Sequence, residues 1–438
     1  MNQNENGQLK RTLTLFPCVM IMVTSVIGGG IFTVPGEIMT IARGSGPNIV
    51  AWIVAGIAVL LMGLVYCELA PALPGAGGPA VYLREAYGDK MSFFYGWFAM
   101  LNNSAVLAVV SITFTNYLTF FIPLSGFQCK LVSTGLLLLA MLTNVRGVKM
   151  GATATSILTI IKLVVLGAII VGGVFFLVPE NFQPVADPQL GWSPAFSAAI
   201  PAFFAFSGYN QLTYMSEEIK NPEKTLPRAI LLGIGVICLV YVLLSVVCVG
   251  TLSVEVLAGS TNSVTMAAEV IFGKAGAAVV SIGALISIYG LINAGFMSMP
   301  RVAFNVGRAG LFPAFFAKIH PKYDTPYCAI ITYCGLSLLL LWTGSFSTLL
   351  TMVVFVGKIS EFLVATSLVV LRKKRPDLNR PIKMPLYPGS VILSIALTVF
   401  LAARVPVNQI ILSLLFCATS VPAYLIFFLF RKYGKRAQ

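Results

Sequence analysis

The chain has 438 residues, of which 58% are hydrophobic and only 10% are charged, and its mean hydropathy is +0.90. These values exclude a water-soluble globular protein and are typical of a polytopic helical membrane protein. The formal net charge of +14 does not indicate nucleic-acid binding, because the basic residues are not interleaved with aromatic residues on one soluble face.

Long apolar runs predict an all-α protein with twelve transmembrane helices, since about 20 apolar residues span the ~30 Å hydrocarbon core. We expect a cytoplasmic N-tail (1–13), a first five-helix repeat (14–178), a second, inverted five-helix repeat (195–371), two additional C-terminal helices (386–430) and a cytoplasmic C-tail (431–438). The predicted spans lie near 14–39, 48–70, 92–122, 131–146, 153–178, 195–217, 228–252, 268–299, 327–345, 348–371, 386–404 and 408–430.

The lysines and arginines predict the orientation of these spans. With both termini inside, 23 of the 29 basic residues face the cytoplasm and four face outward, namely Arg43, Lys130, Lys274 and Arg404. This asymmetry follows the positive-inside rule and agrees with an even number of spans. We therefore expect a multi-pass protein of the cell membrane with both termini in the cytoplasm.

The first predicted span is interrupted by three consecutive glycines in the segment TSVIGGGIF, residues 24–32. Each glycine costs a helix roughly 1 kcal/mol relative to alanine, so the segment predicts an unwound helix. Irregular backbone at bilayer depth occurs only where it is buried in protein or lines an aqueous cavity. The break is therefore a candidate binding site, although close packing between helices is an alternative use of small residues.

A second break is predicted in the sixth span, where PAFFAFSGYNQLTYMSEEIKNP carries Ser207 and Gly208 at its centre with polar residues around them. Broken helices at positions one and six, each opening a set of five spans, are typical of secondary transporters with inverted repeats and a site at the midplane.

Helix ends at such breaks favour a zwitterionic substrate. The N–H groups at Gly28, Gly29 and Gly30 suit a carboxylate. The carbonyls at Ser25, Val26 and Ile27 suit an ammonium group, and the second break can add carbonyls between Phe204 and Ser207, Ala205 included. Tyr209 and Asn210 are candidate contacts to the substrate side chain. An α-amino acid therefore fits better than a sugar or a lipid.

Four motifs along nearly the whole chain resemble the L-type amino acid transporter family of the amino acid–polyamine–organocation superfamily. VIGGGIF is similar to the IIGSGIF of that family, and CELAPALPGAGGPAVYLREAYG resembles its inner loop between helices two and three. FAFSGYNQLTYMSEEIKNPEKTLPRAI is similar to its sixth helix and following loop, and PRVAFNVGRAGLFPAFFAKIHPKYDTP resembles the loop after its eighth helix. The resemblance implies a leucine-transporter-type fold, alternating access and sodium-independent, usually obligatory one-for-one exchange of amino acids.

By motif position, the resemblance implies roles for individual residues. The three glycines would receive the carboxylate, the carbonyls of Val26, Phe204 and Ser207 would receive the ammonium group, and the Phe204 ring would gate the site. Gly29 departs from the family, which commonly has serine there, so carboxylate binding would depend on backbone N–H groups.

Lys162 lies near the middle of the fifth span, in TSILTIIKLVVLGAIIVGG. An intramembrane lysine costs at least about 2.5 kcal/mol and is expected to face the bundle interior with a partner. Snorkelling is the alternative, but about nine residues separate Lys162 from the cytoplasmic end. The resemblance implies that its ammonium group substitutes for a sodium ion between the first and eighth helices, with Ser287 on the eighth.

Other polar residues have local explanations. Lys358 and Glu361 are three residues apart on a predicted helix and are expected to form a structural ion pair, with a role in transport as the alternative. Glu217, Glu218 and Arg301 lie at cytoplasmic helix ends, where either gating pairs or ordinary charged ends occur. The sequence contains a single histidine and no C-x-x-C motif, and the isolated acids of its loops make no catalytic pair, so we expect no catalytic triad, no metal site and no cofactor.

These features favour a secondary carrier over a channel or a membrane-embedded enzyme. The preferred hypothesis is a sodium-independent exchanger of small neutral L-amino acids. The alternative is a proton-coupled importer in which Lys162 titrates. For partners we expect the amino acid substrate and the lipid bilayer. A lone subunit is favoured over a disulfide-linked glycoprotein partner, for which Cys129 in an outward loop would be the attachment point.

Overall fold

The computed structural model describes residues 9–434 except 120, 261, 345, 404 and 406. The predictions for Arg404, for most of the N-tail (1–8) and for the end of the C-tail (435–438) lie outside the described residues. Within the described part of the chain the protein is helical, with two isolated β-bridges and no strand.

The helices are numbered here in chain order. They are α1 (Leu15–Val26), α2 (Gly30–Ala42), α3 (Ser45–Ala72), α4 (Pro79–Tyr87), α5 (Asp89–Leu118), α6 (Gly126–Val145), α7 (Val148–Gly173), α8 (Pro194–Ala205), α9 (Pro222–Thr251), α10 (Val254–Leu257), α11 (Ser263–Ser298), α12 (Pro300–Arg308), α13 (Tyr327–Thr343), α14 (Phe346–Lys374), α15 (Gly389–Ala402), α16 (Val407–Ala418) and α17 (Ser420–Gly434). Short 3₁₀ helices follow at Val174–Phe176, Pro179–Phe182, Gln211–Glu218 and Ala314–Ala317.

Seven of the described helices are long and apolar enough to cross a membrane, or eight if the bent pair α1 and α2 forms one span. Three shorter apolar helices, α8, α13 and α15, lie between them. Each of the twelve predicted segments overlaps at least one helix, but the number of spans and the inverted repeat stay predictions. The coarser conclusion holds: the protein is an all-helical, multi-pass membrane protein.

The helices pack as two apolar clusters that share α11. In one cluster α2, α8 and α9 pack on α3 and α1 packs on α9, and in the other α13 and α14 pack on α5. Helix α11 contacts α1, α2 and α7 on one side and α5 and α6 on the other. The interrupted ends of α1 and α8 lie between these clusters, where side chains from both can reach them.

Helix α7 shows how this packing directs its charged residue inward. Its outer face exposes Ile157, Val164 and Val171, while Thr159 and Lys162 are buried. Because lipid is as apolar as these exposed side chains, burial of the polar residues against α1 and α11 is the arrangement that a bilayer favours.

Candidate functional site

The first break separates α1 from α2 at the three glycines. Helix α1 ends at Val26, α2 begins at Gly30, and the two axes differ by 46°. The first N–H groups of a helix have no partner within it, and neither do the last carbonyls of the helix before it. The break therefore exposes donors on the α2 side and acceptors on the α1 side.

Lys162 holds the acceptor side of this break. Its Nζ atom donates to the Ile27 carbonyl at 2.6 Å and to the Ser287 carbonyl at 3.3 Å, and the Ser287 hydroxyl donates to the same Ile27 carbonyl at 2.8 Å. The lysine is 1% exposed, so snorkelling does not describe it. The ammonium group thus joins α7, the break and α11.

The Ile27 carbonyl does not face the cavity, contrary to the prediction from the sequence. This carbonyl was expected to face a substrate ammonium group, but in the structure two protein donors occupy it and the residue lies behind the cavity wall. Lys162 and Ser287 also lie behind the wall. These three residues support the site and do not line it.

The second break follows α8, which ends at Ala205, and its central glycine meets the first break. Gly208 has φ +105°, and a Cβ atom there would collide with the Ser25 carbonyl oxygen. A positive φ of this size and the close backbone approach are both conditions that only glycine meets without strain. The two breaks therefore touch each other through backbone atoms.

A tyrosine on α9 also joins the two breaks, and the sequence did not identify it. The hydroxyl group of Tyr241 lies 3.3 Å from the Val26 carbonyl and 3.1 Å from the Ala205 carbonyl, the last residues of α1 and α8. Its ring packs edge-to-face on Trp52. A buried tyrosine hydroxyl needs a hydrogen-bond partner, which was the one signal in an otherwise apolar run.

A cavity of about 890 Å³ lies between the breaks, within the range of small-molecule sites. Eleven of the twelve predicted binding residues line it, Ile27 being the exception. The wall also contains residues of α5 and α14. The predicted residues in the wall are Ser25, Val26, Gly28, Gly29, Gly30, Phe204, Ala205, Ser207, Gly208, Tyr209 and Asn210, and the added polar ones include Asn102, Lys358 and Glu361.

The ion pair expected on the tenth predicted span is confirmed. The Nζ atom of Lys358 lies 3.0 Å from Oε2 of Glu361, and both side chains are nearly buried. The Tyr209 hydroxyl donates to the other carboxylate oxygen at 3.0 Å. The pair thus belongs to the cavity wall as well as to α14.

A second group of charged side chains forms ion pairs beyond the second break. Arg301 forms two hydrogen bonds with the buried Glu218, and Arg308 forms two with Glu217. The Glu217 carboxylate also accepts from the backbone N–H of Leu9 at 2.9 Å. The 3₁₀ helix Gln211–Glu218 begins in the cavity wall and ends at these ion pairs, so it connects the site to them.

Comparison with known proteins places the chain among transporters. The amino acid permease family profile matches residues 13–429. The chain is 28% identical to the serine/threonine exchanger SteT of Bacillus subtilis (strain 168), over 97% of this chain and 98% of that protein. It is 32% identical to the large neutral amino acids transporter small subunit 2 of Mus musculus (86% and 73%) and 30% identical to the cystine/glutamate transporter of Homo sapiens (98% and 87%).

The contact between the two breaks predicts the effect of Gly208→Ala. A non-glycine residue at this φ costs on the order of 1 to 3 kcal/mol, and the added Cβ atom must displace the Ser25 carbonyl. We expect transport by the purified variant in proteoliposomes to fall to background. Gly235→Ala is the matched control, because Gly235 lies on α9 with open space around its Cβ position. Wild-type transport by a folded Gly208→Ala protein would contradict the contact.

Proposed function

The chain belongs to the amino acid permease family of the amino acid–polyamine–organocation superfamily, with relatives among the L-type amino acid transporters, and we propose that it exchanges small neutral L-amino acids. In this proposal it works by alternating access and does not use sodium. The observation that carries the proposal is the pair of helix breaks that meet at Gly208 and Ser25 beside a cavity of about 890 Å³.

The N–H donors and the carbonyl acceptors at the breaks would bind the carboxylate and the ammonium group that every α-amino acid carries. The N–H groups of Gly28, Gly29 and Gly30 would bind the carboxylate at the start of α2. The carbonyls of Val26, Phe204 and Ser207 would bind the ammonium group. Tyr241 leaves room for this at Val26, because a carbonyl oxygen accepts two hydrogen bonds. The Phe204 ring, which lines the cavity, would gate the site.

The surroundings of the glycines favour a neutral substrate. A Cβ atom on Gly28 or Gly29 would contact Leu291, Thr113 or Ile288 at 3.0–3.5 Å. None of these neighbours is charged, so the backbone N–H groups are the groups that would bind the substrate carboxylate here. The serine/threonine exchanger of Bacillus subtilis, which aligns with 97% of this chain, supports small neutral amino acids as the substrate class.

Lys162 supports sodium independence. Its ammonium group already donates to the Ile27 and Ser287 carbonyls, which are the oxygen ligands that a hard cation would otherwise take. A permanently bonded ammonium group at this place would hold α1 against α11 and leave no place for a coupling ion.

Alternating access requires one end of the site to close while the other is open. We propose that the ion pairs Arg301–Glu218 and Arg308–Glu217 form the cytoplasmic gate, with the termini on the same side. The terminal segment supports this, since the Thr12 and Leu13 N–H groups donate to the Glu218 carbonyl at 2.8 and 3.0 Å. Opening toward the cytoplasm would then require these contacts to separate.

We propose that the chain acts as a lone subunit. Cys129 lies in the first turn of α6 and not in the loop where it was expected, and the loop before this helix is short. The mouse relative is named a small subunit, so the alternative is a disulfide-linked partner at Cys129. Non-reducing gels of the native protein distinguish the two, because only the alternative gives a reducible band of higher mass.

The proposed structural role of Lys162, which is to hold α1 against α11, predicts the effect of Lys162→Ala. Removing a charge-assisted hydrogen bond of about 1.5–3 kcal/mol from the Ile27 carbonyl is expected to lower the turnover of labelled alanine roughly tenfold or more. Replacing sodium by choline is expected to leave wild-type uptake unchanged. Lys274→Ala, at an exposed lysine of α11, is the control. Sodium-stimulated uptake by the wild-type protein, or full activity of Lys162→Ala, would contradict this role of Lys162.

Exchange is tested in proteoliposomes that contain either unlabelled alanine or no amino acid. We expect uptake of labelled alanine to require internal amino acid and to respond little to an imposed proton gradient, because an exchanger cannot return empty. Acceleration by an inward proton gradient in vesicles without amino acid, lost in Lys162→Ala, would instead support the proton-coupled importer.

A further inference from the structure

The ion pair of α14 is an unusual feature for a cavity wall. Lys358 and Glu361 face the cavity, and their side chains are only 10% and 11% exposed. Burying two charges in a membrane protein carries a desolvation cost that a pair of apolar side chains avoids. Stability alone therefore does not explain why this pair stands in the wall of the site.

Both members of the pair contact the second broken helix. The Tyr209 hydroxyl donates to Oε1 of Glu361 at 3.0 Å, and the Lys358 ammonium group lies 3.5 Å from the centroid of the Phe203 ring. Tyr209 is the neighbour of Gly208, which contacts the Ser25 carbonyl. The Tyr209 side chain thus connects the ion pair to the breaks, where the amino acid backbone would bind.

Further hydrogen-bonding groups complete this part of the wall. Asn102 on α5 lines the cavity with 8% of its surface exposed, and its Oδ1 atom has no partner among the described residues. Ser360 and Asn210 line the same cavity. This region offers donors and acceptors, yet the charges of Lys358 and Glu361 cancel within it.

We propose that Lys358, Glu361 and Tyr209 form a side-chain subsite that selects neutral amino acids with a hydrogen-bonding side chain, that is, a hydroxyl or a carboxamide. This inference depends on the proposed function. A hydroxyl or carboxamide can donate to Glu361 and accept from Lys358 without disturbing their pairing. An apolar side chain long enough to reach the subsite, such as that of leucine, would bury these groups without offering them a hydrogen bond, and such mismatches discriminate strongly.

An acidic side chain would compete with Glu361 for Lys358, and a basic one would compete with Lys358 for Glu361. The internal pairing therefore excludes both charge types. Removing one partner should admit the side chain that replaces its charge, because an uncompensated buried charge is costly.

The test is competition of labelled alanine uptake by glutamate, glutamine, serine, ornithine and leucine, with folding checked by size-exclusion chromatography. In Glu361→Gln we expect inhibition by glutamate to strengthen about tenfold relative to glutamine. In Lys358→Met we expect the same gain for ornithine. In the double variant, whose subsite carries no charge, we expect leucine to gain on serine. Lys274→Met, at an exposed lysine, should keep the wild-type order.

The double variant keeps the proposal testable if a single substitution prevents folding, because it leaves no unpaired charge. An unchanged order of inhibitors in the folded variants would overturn the subsite. Failure of the wild-type protein to transport alanine would instead count against the proposed function, so the two failures are distinguishable.

Discussion

The structure depends on how the backbone of an interrupted helix is satisfied at bilayer depth. Where α1 unwinds, the freed carbonyls find no donor in lipid, so the protein or the cavity must supply one. It supplies an ammonium group for Ile27 from Lys162, a hydroxyl for the same carbonyl from Ser287, and a phenol for Val26 from Tyr241. Donors from α7, α11 and α9 therefore converge on one short segment and fix it relative to three other helices.

The same constraint determines what the site can bind. Because the inner carbonyl is occupied, the polar groups that remain for a ligand are those on the cavity side of the two breaks. Gly208 brings the second break against Ser25, so the N–H groups and the carbonyls of the two breaks lie on a common surface. From there the 3₁₀ helix Gln211–Glu218 extends to the buried ion pair with Arg301. A change at the breaks can thus reach this ion pair through one short element, as our proposal for alternating access requires.

Features coded locally could be predicted from the sequence. The glycine run, the Ser207–Gly208 break and the i,i+3 spacing of Lys358 and Glu361 are visible in a few consecutive residues. A lysine within a predicted span likewise indicates a buried partner. The unpredicted features depend on tertiary packing: nothing in its own segment directs the Tyr241 hydroxyl to two helix ends. The cavity-facing position of α14 depends in the same way on its packing against α5. The twelve predicted segments all contain helix, but the short helices α8, α13 and α15 fall below the length that identifies a span.

The central claim is that helix ends, without a charged side chain, bind both charges of an amino acid. The most direct measurement is a cryo-electron microscopy structure of the protein in lipid nanodiscs with saturating alanine. The account predicts the carboxylate within hydrogen-bonding distance of the N–H groups of Gly28–Gly30 and the ammonium group facing the Val26 carbonyl. An alanine bound outside the two breaks, or one whose carboxylate pairs with Lys358, would contradict it.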